Sequence, residues 1–422
     1  MTVGGMFSND HTAEVFGFIA AAHPFAPVIE AFRAAIRTAP QFAVFTAAAA
    51  GAAGDVHADL KAECAADGAW ALERCYWCFQ PGPGDAASAG EAHMLYWKRG
   101  ADACVVSFPD DPSLPAMAPF LAARRAAGVR LDVLRYVPLR RLTFRERGAG
   151  GEPDRIGKLK RRRLIRASYE RLAAVHRAAS AAQAGFAVAA PLALDEDAGV
   201  FYQQALAGRA LASGMEPHDA AAQLSRVGRV HRQLHALDVP DVPGWSLQAY
   251  FDTIGEDVHW IALFRPQAAA RLQPVLARLA ASMPDSSPGS HVFCHGDFIP
   301  SQLLIDGDRV AVTDFDGARR GDAHQEMAKL LAALKYDLPH LRAALQRGEP
   351  LDTAPMRAAE AAYLAGYEGE HGAPVDRARL PWFRTCAEIH YLAMTLKKDA
   401  WSARAFEHTL ELVEACAAPL GA

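Results

Sequence analysis

Residues 294–322 read CHGDFIPSQLLIDGDRVAVTDFDGARRGD, six aspartates threaded through residues apolar enough for a core. A carboxylate taken out of water costs free energy unless a cation or hydrogen-bond donors receive it. A chain carrying this stretch must bring its acids to a shared counter-charge or leave them at the surface. Two short apolar runs, LLI (303–305) and RVAVT (309–313), flank DGD, a strong turn signal, so an antiparallel hairpin is expected. HVFC (291–294) is a further short strand entering His295, Gly296 and Asp297. Counted from Asp308, Gln302 and Asp314 are each six residues away and are expected to face one another, with Asp297 on the loop before them.

Such a set suits Mg²⁺, a hard cation bound through oxygens, often by one or two carboxylates plus substrate phosphates. Gln302 offers an amide oxygen, Asp314 a carboxylate, and Asp316 a second one. Asp297 need not bind metal and is placed to accept a proton from an attacking hydroxyl. A solvated polar turn explains any one of these residues; their joint spacing is what argues for a site.

Elsewhere the pattern is strands followed by helices, in two blocks. Residues 1–70 are rich in alanine and read as helices, with loops near GAAGD. ALERCYWCFQ reads as a strand, and HMLYWKRG with ADACVVSFP as a hairpin. RLDVLRY (130–136), RRLTFRER (140–147) and RIGKLK (155–160) are short strands with short or Gly-rich connections, hence an antiparallel meander. A helix is expected over 161–184, then FAVAAPLAL and GVFYQQAL as strands around the turn DEDA. After AGRAL the chain turns helical, the hairpin excepted. This is α+β with segregated lobes.

HGDFIPSQ followed after one hairpin by TDFDG resembles the core of the aminoglycoside phosphotransferase and choline kinase group, which shares the protein-kinase-like fold. The usual pattern has Asn where Gln302 stands. The resemblance implies Asp297 as catalytic base or hydroxyl-orienting residue, His295 as a brace for the loop, and Gln302 and Asp314 on Mg²⁺, with Asp316 as a second contact. Asp322 and Glu326 resemble the acids opening the next helix and are read as caps and dipole partners. It also implies ATP as donor, with Lys158 of IGK on its phosphates and Lys160 as the alternative. Glu170, the acid available on the following helix, would hold the lysine. FYQQALAGRAL would be the hinge, its backbone at Gln204, Ala205 and Leu206 meeting adenine. RYVPLRR stands where a phosphate-covering glycine loop belongs and has no glycine; its backbone amides, Arg140 or Arg141 remain to cover phosphate. His235, in the LHxL-like LHAL, is read as structural. C-terminal helices roof the acceptor pocket in this group, so Glu368, Glu370, Glu388 and Trp401 are the side chains they offer to an amine or sugar, each also readable as packing or surface.

The expected division is a helical extension or cap over 1–90, a nucleotide-binding N-lobe over 91–205 and a catalytic, acceptor-binding C-lobe over 206–422. With a formal net charge of −4 the chain lacks the basic field of a nucleic-acid binder. Seven scattered cysteines suit a reducing compartment, and Cys75 and Cys78 read as strand residues before a redox pair. The N-terminus has no basic leader and no apolar run reaches membrane length, so the expectation is cytoplasmic. The sequence thus points to an ATP- and Mg²⁺-dependent phosphotransferase acting on a small-molecule hydroxyl of a sugar, aminosugar or amino alcohol. The alternative is a pseudokinase that binds nucleotide or ligand and transfers nothing. A protein kinase is disfavoured because no HRD or APE-like activation segment is present. Oligomeric state is not legible.

Overall fold

Period-two alternation and short turns dominate the first part of the chain, and amphipathic helices the second. The computed structural model describes residues 54–64, 70–81, 92–98, 104–148, 150, 152–215, 218–285, 291–337, 341, 343–344, 347, 349, 353–369, 375–397 and 403–420. Strands β1 (Gly54–Cys64), β2 (Trp70–Pro81), β3 (His93–Lys98) and β4 (Cys104–Ser107) form one antiparallel sheet in chain order. The expected hairpin over 93–107 is there. The expected helix over 1–70 is not, where the chain is described: Gly54–Cys64 is a strand, because pairing along β2 outweighs the helix propensity of its alanines. Residues 1–53 lie outside the described set.

After helix α1 (Met117–Ala126) come β5 (Leu131–Val137), β6 (Arg141–Glu146) and β7 (Arg155–Lys160), the expected antiparallel meander. With β9 (Pro191–Asp195) and β10 (Val200–Gln204) they make a five-stranded sheet ordered β5-β6-β7-β10-β9. Along β6 every second residue is buried, and Leu142 and Phe144 join Tyr136, Leu159, Val200 and Tyr202 in one core. Glu146, also on the buried side, is held by Arg155 at 2.5 Å.

The β5–β6 connection is a tight turn in which Leu139 is buried at φ 62°. Asp111, from the proline-rich DDPSLP segment, accepts hydrogen bonds from the Leu139 amide at 2.7 Å and the Tyr136 hydroxyl at 2.8 Å. The Arg140 amide donates to the Val137 carbonyl at 3.1 Å. Those two amides are therefore already occupied, which removes them from the phosphate-covering role expected of this loop.

The remaining elements are helix α2 (Arg162–Ala181), β8 (Ala187–Val188), β11 (Arg209–Ala210) and helices α3 (Ala220–His235), α4 (Leu247–Phe264) and α5 (Pro266–Ala281). Next come β12 (Val292–Cys294), β13 (Leu303–Asp306), β14 (Arg309–Val312) and β15 (Arg319–Gly321). Helices α6 (Ala323–Asp337), α7 (Thr353–Glu368), α8 (Leu380–Lys397) and α9 (Ala403–Ala417) complete the order. β11, β13, β14 and β8 form a small sheet, and β12 pairs with β15. Two units result: Met1–Arg166 with Ala193–Tyr202 and Thr395–Ala400, and Ala167–Leu192 with Gln203–Met394 and Trp401–Ala422. The first is built on antiparallel sheet and the second is mainly helical, which is the bilobal α+β, protein-kinase-like arrangement expected.

Within the second unit α3 and α7 pack backbone to backbone. A Cβ on Gly228 would fall 2.1 Å from the Tyr363 carbonyl oxygen, and one on Gly366 2.0 Å from that of Ser225. Only glycines permit this approach. It brings His231 and His235 of α3, four residues apart and hence on one face, onto Tyr363 and Tyr367 of α7. Among the described residues no helix is long and apolar enough to cross a membrane.

Candidate active site

The hairpin register pairs Leu303 with Val312 and Asp306 with Arg309, leaving Gly307 and Asp308 as a two-residue turn. Its centre lies between those residues, so Thr313, and not the expected Asp314, stands opposite Gln302. The Thr313 amide donates to the Gln302 carbonyl at 3.0 Å, and its hydroxyl lies 3.3 Å from Gln302 Oε1. Asp314 follows directly in the left-handed conformation, φ 68° and ψ 61°. A non-glycine residue held there stores about 1–2 kcal/mol, a kind of strain that clusters at functional sites. The bend ends the strand and starts the single turn Phe315–Gly317, whose Asp316 carbonyl accepts a hydrogen bond from the Arg171 guanidinium of α2.

The loop after β12 is fixed from three sides. His295 is fully buried; its Nδ1 accepts the Asp297 amide at 3.1 Å and its Nε2 meets the Thr313 carbonyl at 2.8 Å. Those partners assign a neutral ring protonated at Nε2, tying the loop to the hairpin. Gly296 has φ 84°, and a Cβ there would overlap the Gly317 carbonyl oxygen at 1.9 Å. Glu326 of α6 receives the His295 amide on Oε2 at 2.9 Å and the Gly296 amide on Oε1.

Glu326 is therefore more than the helix cap expected of it. It is buried, and its Oε2 also lies 3.2 Å from Nε2 of both His231 and His235. Each of those rings meets a tyrosine hydroxyl through Nδ1, Tyr363 at 2.6 Å and Tyr367 at 2.7 Å. Burial would raise the Glu326 pKa, but the two histidines outweigh it and hold the carboxyl well below its usual range. Burial, aided by His235, pushes the His231 imidazole down to about 3. His231, His235 and Glu326 have the nitrogen and oxygen donors of a metal centre. Each donor atom is already in a hydrogen bond, however, and the network's evident work is to anchor the loop. Asp322 does cap α6, accepting the His324 amide at 2.8 Å, and it also pairs with Arg379 at 2.6 Å.

On this fixed loop the Asp297 carboxylate remains 42% exposed, with Lys329 Nζ of α6 at 2.7 Å from its Oδ1. Gly296 and Lys329 border a cavity of about 450 Å³ whose walls include Trp245, Tyr250, Arg319 and Tyr391. The cavity lies wholly within the second unit.

His295 ties the Asp297 loop to Thr313, Thr313 bonds to Gln302, and Asp314 and Asp316 follow directly in the chain. Lys158 and Lys160 are buried on β7 of the first unit, and Glu170 is exposed on α2. Gln204 ends β10, its amide on the Ala190 carbonyl at 2.9 Å, and Leu206 is half-buried after it. Gly208 turns the chain at φ 114°. Two acids offered to an amine are committed elsewhere: Glu368 pairs with Arg377 at 2.8 Å, and Glu388, fully buried, pairs with Lys335 and Arg384. Glu370 and Trp401 lie outside the described residues.

Sequence reasoning missed Lys329, Arg319, His231 and the anchoring role of Glu326. Lys329 and Glu326 are three apart and so share a helix face, a spacing that marks them as neighbours without naming a distant loop as their common target.

Comparison with known proteins follows the same lines. Residues 141–380, more than half of the 422-residue chain, match the phosphotransferase enzyme family. Among solved structures, a protein from Ralstonia eutropha described as an aminoglycoside phosphotransferase is similar at 18% identity and a TM-score of 0.50, over 72% of this chain and 96% of that one. A thermostable mutant of aminoglycoside phosphotransferase APH(4)-Ia, solved with ADP and hygromycin B, is similar at 17% identity and a TM-score of 0.50, over 72% of this chain and 98% of that one. At these identities the likeness is one of fold. No curated protein matches the chain at a significant level.

Proposed function

The chain belongs to the phosphotransferase enzyme family, and from that premise we propose that it moves the γ-phosphoryl group of ATP to a hydroxyl of a small molecule in an Mg²⁺-dependent reaction. One observation carries the reading. The loop of Asp297 is anchored through two backbone amides by a buried glutamate, while the Asp297 carboxylate stays open beside a cavity. A purely structural acid gains nothing from such an arrangement; an acid that must orient a hydroxyl does.

Gln302, Asp314 and Asp316 would hold the metal ion, for an amide oxygen with two carboxylates is a hard, all-oxygen set of the kind Mg²⁺ takes. When bound, the ion would neutralise charge on the transferring phosphates. Lys158 is proposed for those phosphates, with Lys160 as its alternative, and Glu170, Gln204 and Leu206 complete the nucleotide residues. Asp297 accepts the acceptor hydroxyl's hydrogen bond and its proton, His295 keeps the Asp297 amide in register, and Lys329 fixes the carboxylate's direction.

The second reading, a binding protein without transfer, is favoured by one observation: the Leu139 and Arg140 amides are already hydrogen-bonded within the protein. An ADP-release screen across sugars, aminoglycosides and amino alcohols separates the two. Acceptor-dependent release that falls by about a hundredfold or more in Asp297→Asn supports transfer. Nucleotide binding without acceptor-dependent release supports the second reading, and an Asp297→Asn variant as active as the parent overturns the assigned chemistry.

A further inference from the structure

We infer that the acceptor carries a negative charge, a carboxylate or phosphate on a hydroxyl compound, and that Arg319 receives it. The inference deepens the phosphotransferase reading above and rests on it. Arg319 leads β15, paired with Cys294 at the entrance to the Asp297 loop, and it lines the same cavity as Gly296 and Lys329. One guanidinium nitrogen donates to Gln325 Oε1 at 2.8 Å, a neutral partner. Its Nε is buried without a hydrogen-bond acceptor, and among the described residues no carboxylate forms a salt bridge with it. A guanidinium drawn partly out of water is unfavourable without an anion. Its planar fork suits a carboxylate or a phosphate, which can take two hydrogen bonds at once.

The acids around the cavity do not offset this charge. Among the described residues no Asp or Glu lines it. Asp257 pairs with the lining His390 at 2.7 Å, Asp297 pairs with Lys329, and Asp322 pairs with Arg379. Glu326 is committed to the loop amides and histidines. The lining is thus cationic and aromatic. Trp245, Tyr250 and Tyr391 are among the lining residues, and an ammonium group would meet Arg319 where no Asp or Glu lines the wall and where the neighbouring Asp297 carboxylate is already paired with Lys329. Amines are the acceptors this cavity disfavours.

Three ring-matched probes test the inference by titration calorimetry: glucuronate, glucose and glucosamine. On the parent protein glucuronate is expected to bind about tenfold tighter than glucosamine or better, the effect of a charge-assisted hydrogen bond. Arg319→Gln should abolish that preference, with circular dichroism confirming its fold, and Arg319→Lys should keep part of it. Glucosamine binding as tightly as glucuronate, a preference that survives Arg319→Gln, or no binding of any probe overturns the inference. ADP release, read separately, distinguishes its failure from that of the underlying reading. Phosphorylation of an aminosugar, abolished in Asp297→Asn, refutes the anionic acceptor and leaves the transferase. Arg319-dependent glucuronate binding with no ADP release from any acceptor does the reverse.

Discussion

Lys329 Nζ sits 2.7 Å from Asp297 Oδ1 and 3.1 Å from the Gly296 carbonyl oxygen, so one ammonium grips both the open acid and the backbone just before it. The pair is partly exposed on both sides, and such pairs add little to stability, about 0–1 kcal/mol. Its consequence is directional. With Lys329 in place the Asp297 carboxylate is held in one direction.

Lys329→Met therefore separates positioning from folding. The expected result is a loss of kcat on the order of ten- to a hundredfold in ADP release, the scale of a misplaced reacting group, with Tm almost unchanged. A fall in Tm with kcat intact would identify the pair as structural.

Gly296→Ala places a Cβ 1.9 Å from the Gly317 carbonyl oxygen, at φ 84°, so backbone must shift. Gly307→Ala is the control, since it shares a positive φ of 56° but has nothing within 4 Å of the added atom. Urea unfolding should show a cost of about 1–2 kcal/mol for the control and more for Gly296→Ala. The control should retain ADP release and the Gly296 variant should lose it.

Acid should loosen the loop anchor. The His231 imidazole is held down at about 3 and the Glu326 carboxyl below its ordinary range, so the unfolded chain binds more protons than the native one as pH falls below about 6.5. Stability then rises with pH across that window and is lost towards pH 3. One proton taken up corresponds to about 1.4 kcal/mol per pH unit. Urea unfolding at pH 7.5, 6.0 and 5.0 measures the slope; His231→Phe should flatten it, and an unchanged slope would refute the assignment.

Glu388 and Lys335 form an ion pair that is all but fully buried, with Arg384 on the same carboxylate. Burial lowers the Lys335 pKa, and Glu388 opposes that change. Glu388→Gln takes the carboxylate from the buried Lys335 ammonium, whereas Arg384 keeps Glu360 at 2.8 Å, and should cost about 3–5 kcal/mol in urea unfolding. Adding Lys335→Met should recover part of that loss; a single variant as stable as the parent would show that the pair does not hold the helices.

What the sequence determined was what neighbours along the chain can settle. The meander, the hairpin and the strand end at Gln204 follow from period-two alternation, turn residues and short spacing. Even there the two-residue turn moved the facing residue from Asp314 to Thr313, because register depends on where a turn's centre falls. The helical reading of residues 1–70 failed over Gly54–Cys64 for a related reason: strand pairing is decided by a partner, not by propensity. Tertiary structure alone decided that Glu326 anchors the loop of Asp297, that Lys329 pairs with Asp297, and that among the described residues no carboxylate pairs with Arg319. Those contacts join α3, α6 and β15 to a loop distant in sequence, and burial, which sets the value of each charge, exists only once the helices have packed.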